Sequence, residues 1–248
     1  MTRTDSLDVK IFADGADLYD IRKLARNPLI KGFTTNPTLM RKAGISDYAA
    51  FARDMLNVIA GAPVSFEVFA DDFDEMEAQA LEIASWGDNV YVKIPITNTR
   101  GESSVPLVER LSAQKVQVNV TAMMTLGQVR HVAEALCAET PAVVSVFAGR
   151  VADTGLDPVP LMREAVGVLE SRPKAELLWA SPRELLNIFH ADEVGCHIIT
   201  VTHDLLSKLS GVGKDLDRFS LETVKMFYDD ASAAGYTIAT DKKASAAG

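Results

Sequence analysis

A lysine stands at position 93 in the middle of a β-branched apolar run, VYVKIPIT. Lysine is rarely fully buried without a partner or a task. Desolvation and neighbouring cations ease the proton off its ammonium, and the free amine is a nucleophile toward carbonyl carbon. The plain alternatives are a lysine that snorkels from a strand end or pairs with a carboxylate. Other apolar segments carry matching anomalies. Glu67 lies in VSFEVFA, Asn119 and Thr121 lie two apart in VQVNVTA, Thr34 and Asn36 two apart in GFTTNP, and Ser145 and Phe147 two apart in VVSVFAG. Side chains alternate across a strand, so each pair shares a face. Singly, each has a structural explanation: Asn36 before Pro37 suits a turn, Thr121 is a β-former, and Asp14 or Asp17 suits a helix cap. Recurrence on five segments argues instead for polar groups converging around the amine of Lys93.

A second group of residues suits an anion. Arg150 follows the sixth apolar run in FAGR, and Ser181 and Arg183 follow the seventh in WASPRE. Arginine's planar fork can bond two phosphate oxygens at once, and late βα-loops with a helix N-terminus form a recurrent phosphate site. The structural alternative makes Ser181 an N-cap and Arg183 a solvated helix residue. His131, His190, His197 and His203 have no metal-ligand spacing, and His203 beside Asp204 suits a cap on the last helix. Cys196 and Trp179 read as core.

The elements that must position these residues follow a β-then-α rhythm. Strands are expected near 8–14, 30–36, 63–70, 89–97, 116–123, 142–149, 176–181 and 197–203. Most are nearly continuous apolar runs, as for parallel strands covered on both faces. Helices are expected over 17–25, 46–59, about 71–85, 125–138, 158–170, 181–191, 203–209 and 221–234. Asp71, Asp72, Asp74 and Glu75 crowd the start of the third, where negative charge complements the helix dipole. Eight units with short connections predict an α/β fold, a (β/α)₈ TIM barrel with a C-terminal helix, whose sites lie at the C-terminal ends of the strands. The runner-up is an open doubly wound sheet, but neither G-x-G-x-x-G nor a P-loop is present. No linker interrupts the pattern, so residues 1–248 read as one domain, with a flexible tail from about 240.

The chain has 248 residues, a formal net charge of −9, 48% hydrophobic and 24% charged residues. That is an ordinary soluble composition, and its acidity argues against nucleic-acid or membrane-surface partners. Cys137 and Cys196 have no metal or redox spacing. With no signal-peptide core and no apolar run of spanning length, a cytoplasmic protein is expected.

Taken together, FADGAD, TTNPT, VSFEV, VYVKIPIT, VNVTAMM, VSVFAGR, WASPRE and GCHIITVT resemble the transaldolase family, which includes the fructose-6-phosphate aldolases. The resemblance covers nearly the whole chain, whose length is similar to that of the short members. It implies Lys93 as the Schiff-base lysine, Asp14 as acid–base aspartate, and Glu67 with Thr121 as the pair holding a water used in proton transfer. It implies Thr34, Asn36, Asn119, Ser145 and Phe147 around the substrate and the lysine, and Arg150, Ser181 and Arg183 as the phosphate site. It also implies no cofactor, sugar phosphates as small-molecule partners, a role in the pentose phosphate pathway, and a pentameric or decameric homo-oligomer using the C-terminal helix. The chain departs from the family in having Gly15 after Asp14, where a threonine is usual. Fructose-6-phosphate aldolases have glutamine and tyrosine where this chain has Glu67 and Phe147, so the chain looks like the transaldolases.

The expected reaction is transfer of a dihydroxyacetone unit from a ketose phosphate to an aldose phosphate. The alternatives are a lyase releasing free dihydroxyacetone, the same chemistry on a modified ketose such as a sulfonated one, a barrel isomerase with Glu67 as base, and a sugar-phosphate-binding barrel without covalent chemistry.

Overall fold

The computed structural model describes residues 3–238, so the tail expected from about position 240 lies outside the described residues. Eight parallel strands pair in chain order and close with β8 on β1. They are β1 (Lys10–Asp14), β2 (Ile30–Thr34), β3 (Val64–Glu67), β4 (Val90–Pro95), β5 (Val118–Met123), β6 (Ala142–Val146), β7 (Ala175–Trp179) and β8 (Ile198–Thr202). The helices are α1 (Leu18–Leu24), α2 (Pro37–Lys42), α3 (Tyr48–Ile59), α4 (Phe73–Ala84), α5 (Val105–Ala113), α6 (Leu126–Ala135), α7 (Ala148–Ala152), α8 (Pro158–Leu169), α9 (Leu186–Glu193), α10 (His203–Ser207) and α11 (Leu216–Ala233). This is the expected (β/α)₈ barrel with an added C-terminal helix. No helix among the described residues is long and apolar enough to cross a membrane.

Alternation along each strand divides the core. Val90, Val92 and Ile94 of β4 join the large apolar layer between sheet and helices, which also takes in Trp179 and Cys196. Tyr91 and Lys93, one step out of phase, face the barrel interior. Phe12, Val143, Leu178 and Ile198 fill the middle of that interior, with Tyr91 and Phe147 packed on them. Phe12 requires a glycine opposite, because a Cβ at Gly32 would lie 2.5 Å from its ring. This apolar plug is the floor on which the polar layer rests.

The helices begin where short polar side chains satisfy free N–H groups. Asp17, Asp47, Asp72, Asp157 and Asp215 each accept from their first turns, and Thr125 and Gln128 form a reciprocal capping box.

Several boundaries differ from expectation for local reasons. β2 stops at Thr34 because Asn36 caps α2 through Leu39 N–H at 3.0 Å. α6 ends at Ala135 rather than Ala138. β6 stops at Val146, and Arg150 lies on α7 rather than on a loop. α9 starts at Leu186, not Ser181: a proline follows Ser181, which disfavours a right-handed helical conformation there, and its φ is +57°. Ser181 is therefore not the helix cap. α11 starts at Leu216, ahead of the expected Leu221, because Asp215 caps it. His203 does not cap the last helix; it opens α10, and its Nδ1 faces Asp20 Oδ2 at 3.1 Å.

Candidate active site

All twelve candidate residues line one cavity of about 520 Å³ at the C-terminal ends of the strands: Asp14, Thr34, Asn36, Glu67, Lys93, Asn119, Thr121, Ser145, Phe147, Arg150, Ser181 and Arg183. Strand register explains the convergence. Glu67 lies beside Lys93, Lys93 beside Asn119, and Asp14 beside Thr34 and Thr202, so equivalent inward positions of successive strands form one polar layer.

Lys93 is only 7% exposed. Its Nζ lies 2.9 Å from Glu67 Oε2 and donates to the Thr35 carbonyl at 2.9 Å. One amine is thus aimed by a carboxylate and a main-chain oxygen, which leaves the third direction for the cavity. Tyr48, opening α3, holds Glu67 in turn. Its hydroxyl accepts from Glu67 N–H at 2.8 Å and donates to the Glu67 carbonyl at 3.1 Å. The β2–β3 ladder pairs Thr34 with Ser65 and goes no further, so the tyrosine takes the place of a neighbouring strand.

Asp14 is anchored from two sides. Thr34 Oγ1 donates to Asp14 Oδ1 at 2.8 Å, and Asn36 Nδ2 reaches Asp14 Oδ2 at 3.5 Å. The cap bond to Leu39 fixes which face of the Asn36 amide turns toward Asp14, so the structural and site roles coexist. Thr34 has a single hydroxyl hydrogen, directed at Asp14, and the Thr200 hydroxyl therefore donates to Thr34. Burial pushes the Asp14 carboxyl above its ordinary range; the Lys93 charge and the bonds from Thr34 and Asn36 oppose that rise.

On the other side of Lys93, Ser145 Oγ donates to Asn119 Oδ1 at 2.6 Å, and Asn119 Nδ2 donates to Ser65 Oγ at 2.9 Å. This chain fixes the Asn119 amide across three strands. Thr121 differs: its Oγ1 is buried without a hydrogen-bond partner. A buried polar atom left unpaired is costly, and a water or a ligand hydroxyl relieves it. A β-bulge between Val120 and Met123, with Ala122 at φ +63°, lifts this end of β5. Among the described residues, Ala60, Lys115, Ala122 and Ser181 are the non-glycine residues at positive φ. Two of them, Ala122 and Ser181, line the cavity, in keeping with strain held at functional sites.

At the far wall, α7 and the loop after β7 meet over Gly149. A Cβ there would lie 1.5 Å from the Ser181 carbonyl oxygen, so only glycine permits the approach. Arg150 and Arg183 both line the cavity, and Arg183 is ion-paired with Asp153.

The sequence reading passed over Tyr48, Ser65, Asp153, Thr200 and Thr202. Thr200 and Thr202 stand two apart in IITVTH and carry the same alternation signal as the other pairs. Tyr48 and Asp153 lie on helices or their ends and carry no such signal. Among the described residues, no group of three or more His, Cys, Asp or Glu side chains is placed to hold a metal ion.

Known proteins resemble this chain in sequence and in fold. Residues 11–245 match the family model described as transaldolase/fructose-6-phosphate aldolase. A probable transaldolase of Dehalococcoides mccartyi is 34% identical over 202 residues, covering 81% of this chain and 90% of its own. Probable transaldolase 2 of Listeria monocytogenes is 34% identical, with 81% and 88% covered. A probable transaldolase of Streptococcus agalactiae is 33% identical over 222 residues, with 85% and 99% covered. Two solved structures of low sequence identity share its fold. A putative phosphonomutase from Burkholderia cenocepacia superposes with a TM-score of 0.55 at 13% identity, covering 85% of this chain and 94% of that one. Dihydrodipicolinate synthase from Rhodopseudomonas palustris gives 0.52 at 15% identity, covering 81% and 71%.

Proposed function

The chain belongs to the transaldolase/fructose-6-phosphate aldolase family, and from that premise we propose that it is a Schiff-base transaldolase acting on ketose phosphates such as fructose 6-phosphate. The observation that carries this reading is the Lys93 amine, buried at the cavity floor between Glu67 and the Thr35 carbonyl, with Asp14 anchored in the same cavity.

In this mechanism Lys93 passes a proton to Glu67 and attacks the C2 carbonyl of the ketose. Loss of water gives an iminium ion, whose remaining N–H keeps an oxygen acceptor in Glu67 or Thr35. The iminium draws electrons from the C3–C4 bond while the Asp14 carboxylate takes the C4 hydroxyl proton. An aldose phosphate leaves, and a dihydroxyacetone enamine stays on Lys93 until an acceptor aldose phosphate, such as erythrose 4-phosphate, reverses the steps. Glu67 shuttles protons through a water held by Thr121, whose unpaired hydroxyl supports that role. Thr34, Asn36, Asn119 and Ser145 bind hydroxyls. Arg150, Ser181 and Arg183 hold the phosphate of donor and acceptor in one register. Phe147 offers no acidic hydrogen to the enamine, which favours transfer over protonation and release.

Fructose 6-phosphate with borohydride should add the reduced dihydroxyacetone unit to Lys93 by mass. Lys93→Met should lose both adduct and turnover while keeping its circular dichroism; near-normal activity in that variant would sink the mechanism. Release of glyceraldehyde 3-phosphate only with erythrose 4-phosphate present separates transferase from lyase. A homo-oligomer, pentamer or decamer, is part of the same reading and is supported by α11, of which no residue is buried within the chain. So is a cytoplasmic setting, supported by free thiols at Cys137 and Cys196.

A further inference from the structure

Behind the anion end of the cavity, paired with Arg183, stands a charge that the phosphate reading leaves unused. Asp153, at the C-terminal cap of α7, accepts Arg183 Nε–H at 2.9 Å on one oxygen and an Nη2 hydrogen on the other. That hydrogen bonding, with the charges of Arg183 and Arg150, holds the Asp153 carboxyl below its ordinary range. A guanidinium has five N–H donors. Two face Asp153; one hydrogen of Nη1 and the second of Nη2 form a further edge, which can still grip two oxygens, and the other Nη1 hydrogen points to the Cδ side. The Arg183 backbone is held as well, its N–H donating to Asn187 Oδ1 at 2.8 Å, and Nε lies 3.4 Å from the place a Cβ of Gly149 would take. The arginine is bracketed, and its bracket is an anion.

We propose that Asp153 is a specificity-determining residue that orients Arg183 and lowers the charge of the anion site from two cations to a net +1. Asp153 then weakens the hold on a phosphate dianion more than the hold on a monoanionic tetrahedral head group, a sulfonate or a singly protonated phosphate, and so narrows the gap between them. The inference rests on the reading of Arg150 and Arg183 as the head-group site. Its physical basis is like-charge repulsion: across one guanidinium, the Asp153 carboxylate repels a dianion about twice as strongly as a monoanion. At the high effective dielectric of a half-exposed site, that is worth about three- to tenfold in affinity for the dianion. The other charged groups lining the cavity are Asp14, Lys42, Glu67 and Lys93, from β1, α2, β3 and β4; the first three are the same in every variant compared below, and Lys93 is replaced by Met in all of them.

The test is calorimetric binding of two ketoses to the full chain carrying Lys93→Met, so that no turnover intervenes. The probes are fructose 6-phosphate, a dianion at pH 8, and its 6-deoxy-6-sulfonate analogue, a monoanion throughout. Asp153→Asn keeps an acceptor for Arg183 and removes only the charge. It should tighten the phosphate about three- to tenfold at pH 8 and the sulfonate by only about two- to threefold, the square root of that factor. At pH 5.5, below the second ionisation of the phosphate near pH 6, the advantage of the Asn variant should shrink toward the value seen with the sulfonate. Asp153→Ala, which removes the charge and the bracket together, should bind both ligands more weakly than Asp153→Asn does. Equal effects of Asp153→Asn on the two ketoses, or none, overturn the proposal while leaving the head-group site in place. If neither ketose binds, or Arg183→Ala changes neither affinity, the head-group reading falls and this inference with it.

Discussion

Asp14 is held where its charge is costly. Its neighbours Thr34 and Asn36 and the Lys93 charge stabilise the carboxylate, yet burial outweighs them and the group titrates above its ordinary range. A base whose value is raised toward the working pH is a better proton acceptor in catalysis. The same shift acts on stability. Between the ordinary aspartate value and the raised one, the folded chain binds more protons than the unfolded chain, so this contribution to stability falls as pH rises through that window. Asp14→Asn should therefore slow turnover roughly 10²–10⁴-fold. It should also raise the melting temperature at pH 7 by about 2–4 °C for each kcal/mol regained. The gain should shrink away below about pH 4, where Asp14 is protonated in both states. Thermal unfolding of both chains from pH 3 to 8 checks the sign; a variant less stable than the parent at pH 7 would contradict it.

At the level of elements, the site is as good as the contacts between neighbouring βα units. β3 ends at Glu67, and Tyr48 of α3 satisfies both main-chain groups that β2 no longer pairs. α7 and the β7 loop touch through Gly149 with no room for a methyl group. Gly149→Ala must push α7 or the Ser181 backbone aside. Overpacking of this kind costs about 1–3 kcal/mol, and the displaced parts carry Arg150 and Arg183. The expected outcome is a melting temperature lower by several degrees, together with a raised KM for phosphorylated ketoses and a smaller change for fructose itself. Differential scanning fluorimetry and steady-state kinetics read the two effects separately. An unchanged KM ratio would detach this contact from head-group binding.

On the scale of the whole molecule, α11 stands out. Leu216, Phe219, Leu221, Val224, Phe227 and Tyr228 are all exposed on it, an apolar surface of the sort that marks association. If the proposed oligomer is built on this face, Val224→Asp with Phe227→Asp should lower the mass in sedimentation velocity to that of a monomer while leaving the circular dichroism unchanged, since neither side chain is buried within the subunit. An unaltered mass would remove α11 from the assembly.

The barrel itself was legible because eight apolar runs of strand length, separated by capped helices, leave few ways to cover both faces of a parallel sheet. The lining of the cavity was legible for a related reason. Polar residues two apart in an apolar run share a face, and a closed barrel turns one face of every strand to a common interior. Local chemistry thus determined the elements, the inward positions and the identities of Lys93 and Glu67 as outliers in apolar surroundings, whereas Asp14 read locally as a helix cap and gained its role only from the family resemblance. Tertiary structure alone decided what each touches: the Thr35 carbonyl on Lys93, the Tyr48 hydroxyl on Glu67, the Asp153 carboxylate on Arg183 and the unpaired hydroxyl of Thr121. Those partners lie on other elements, many residues away in most cases. Periodicity along one strand reports the direction of a side chain and nothing about what the rest of the chain brings to meet it.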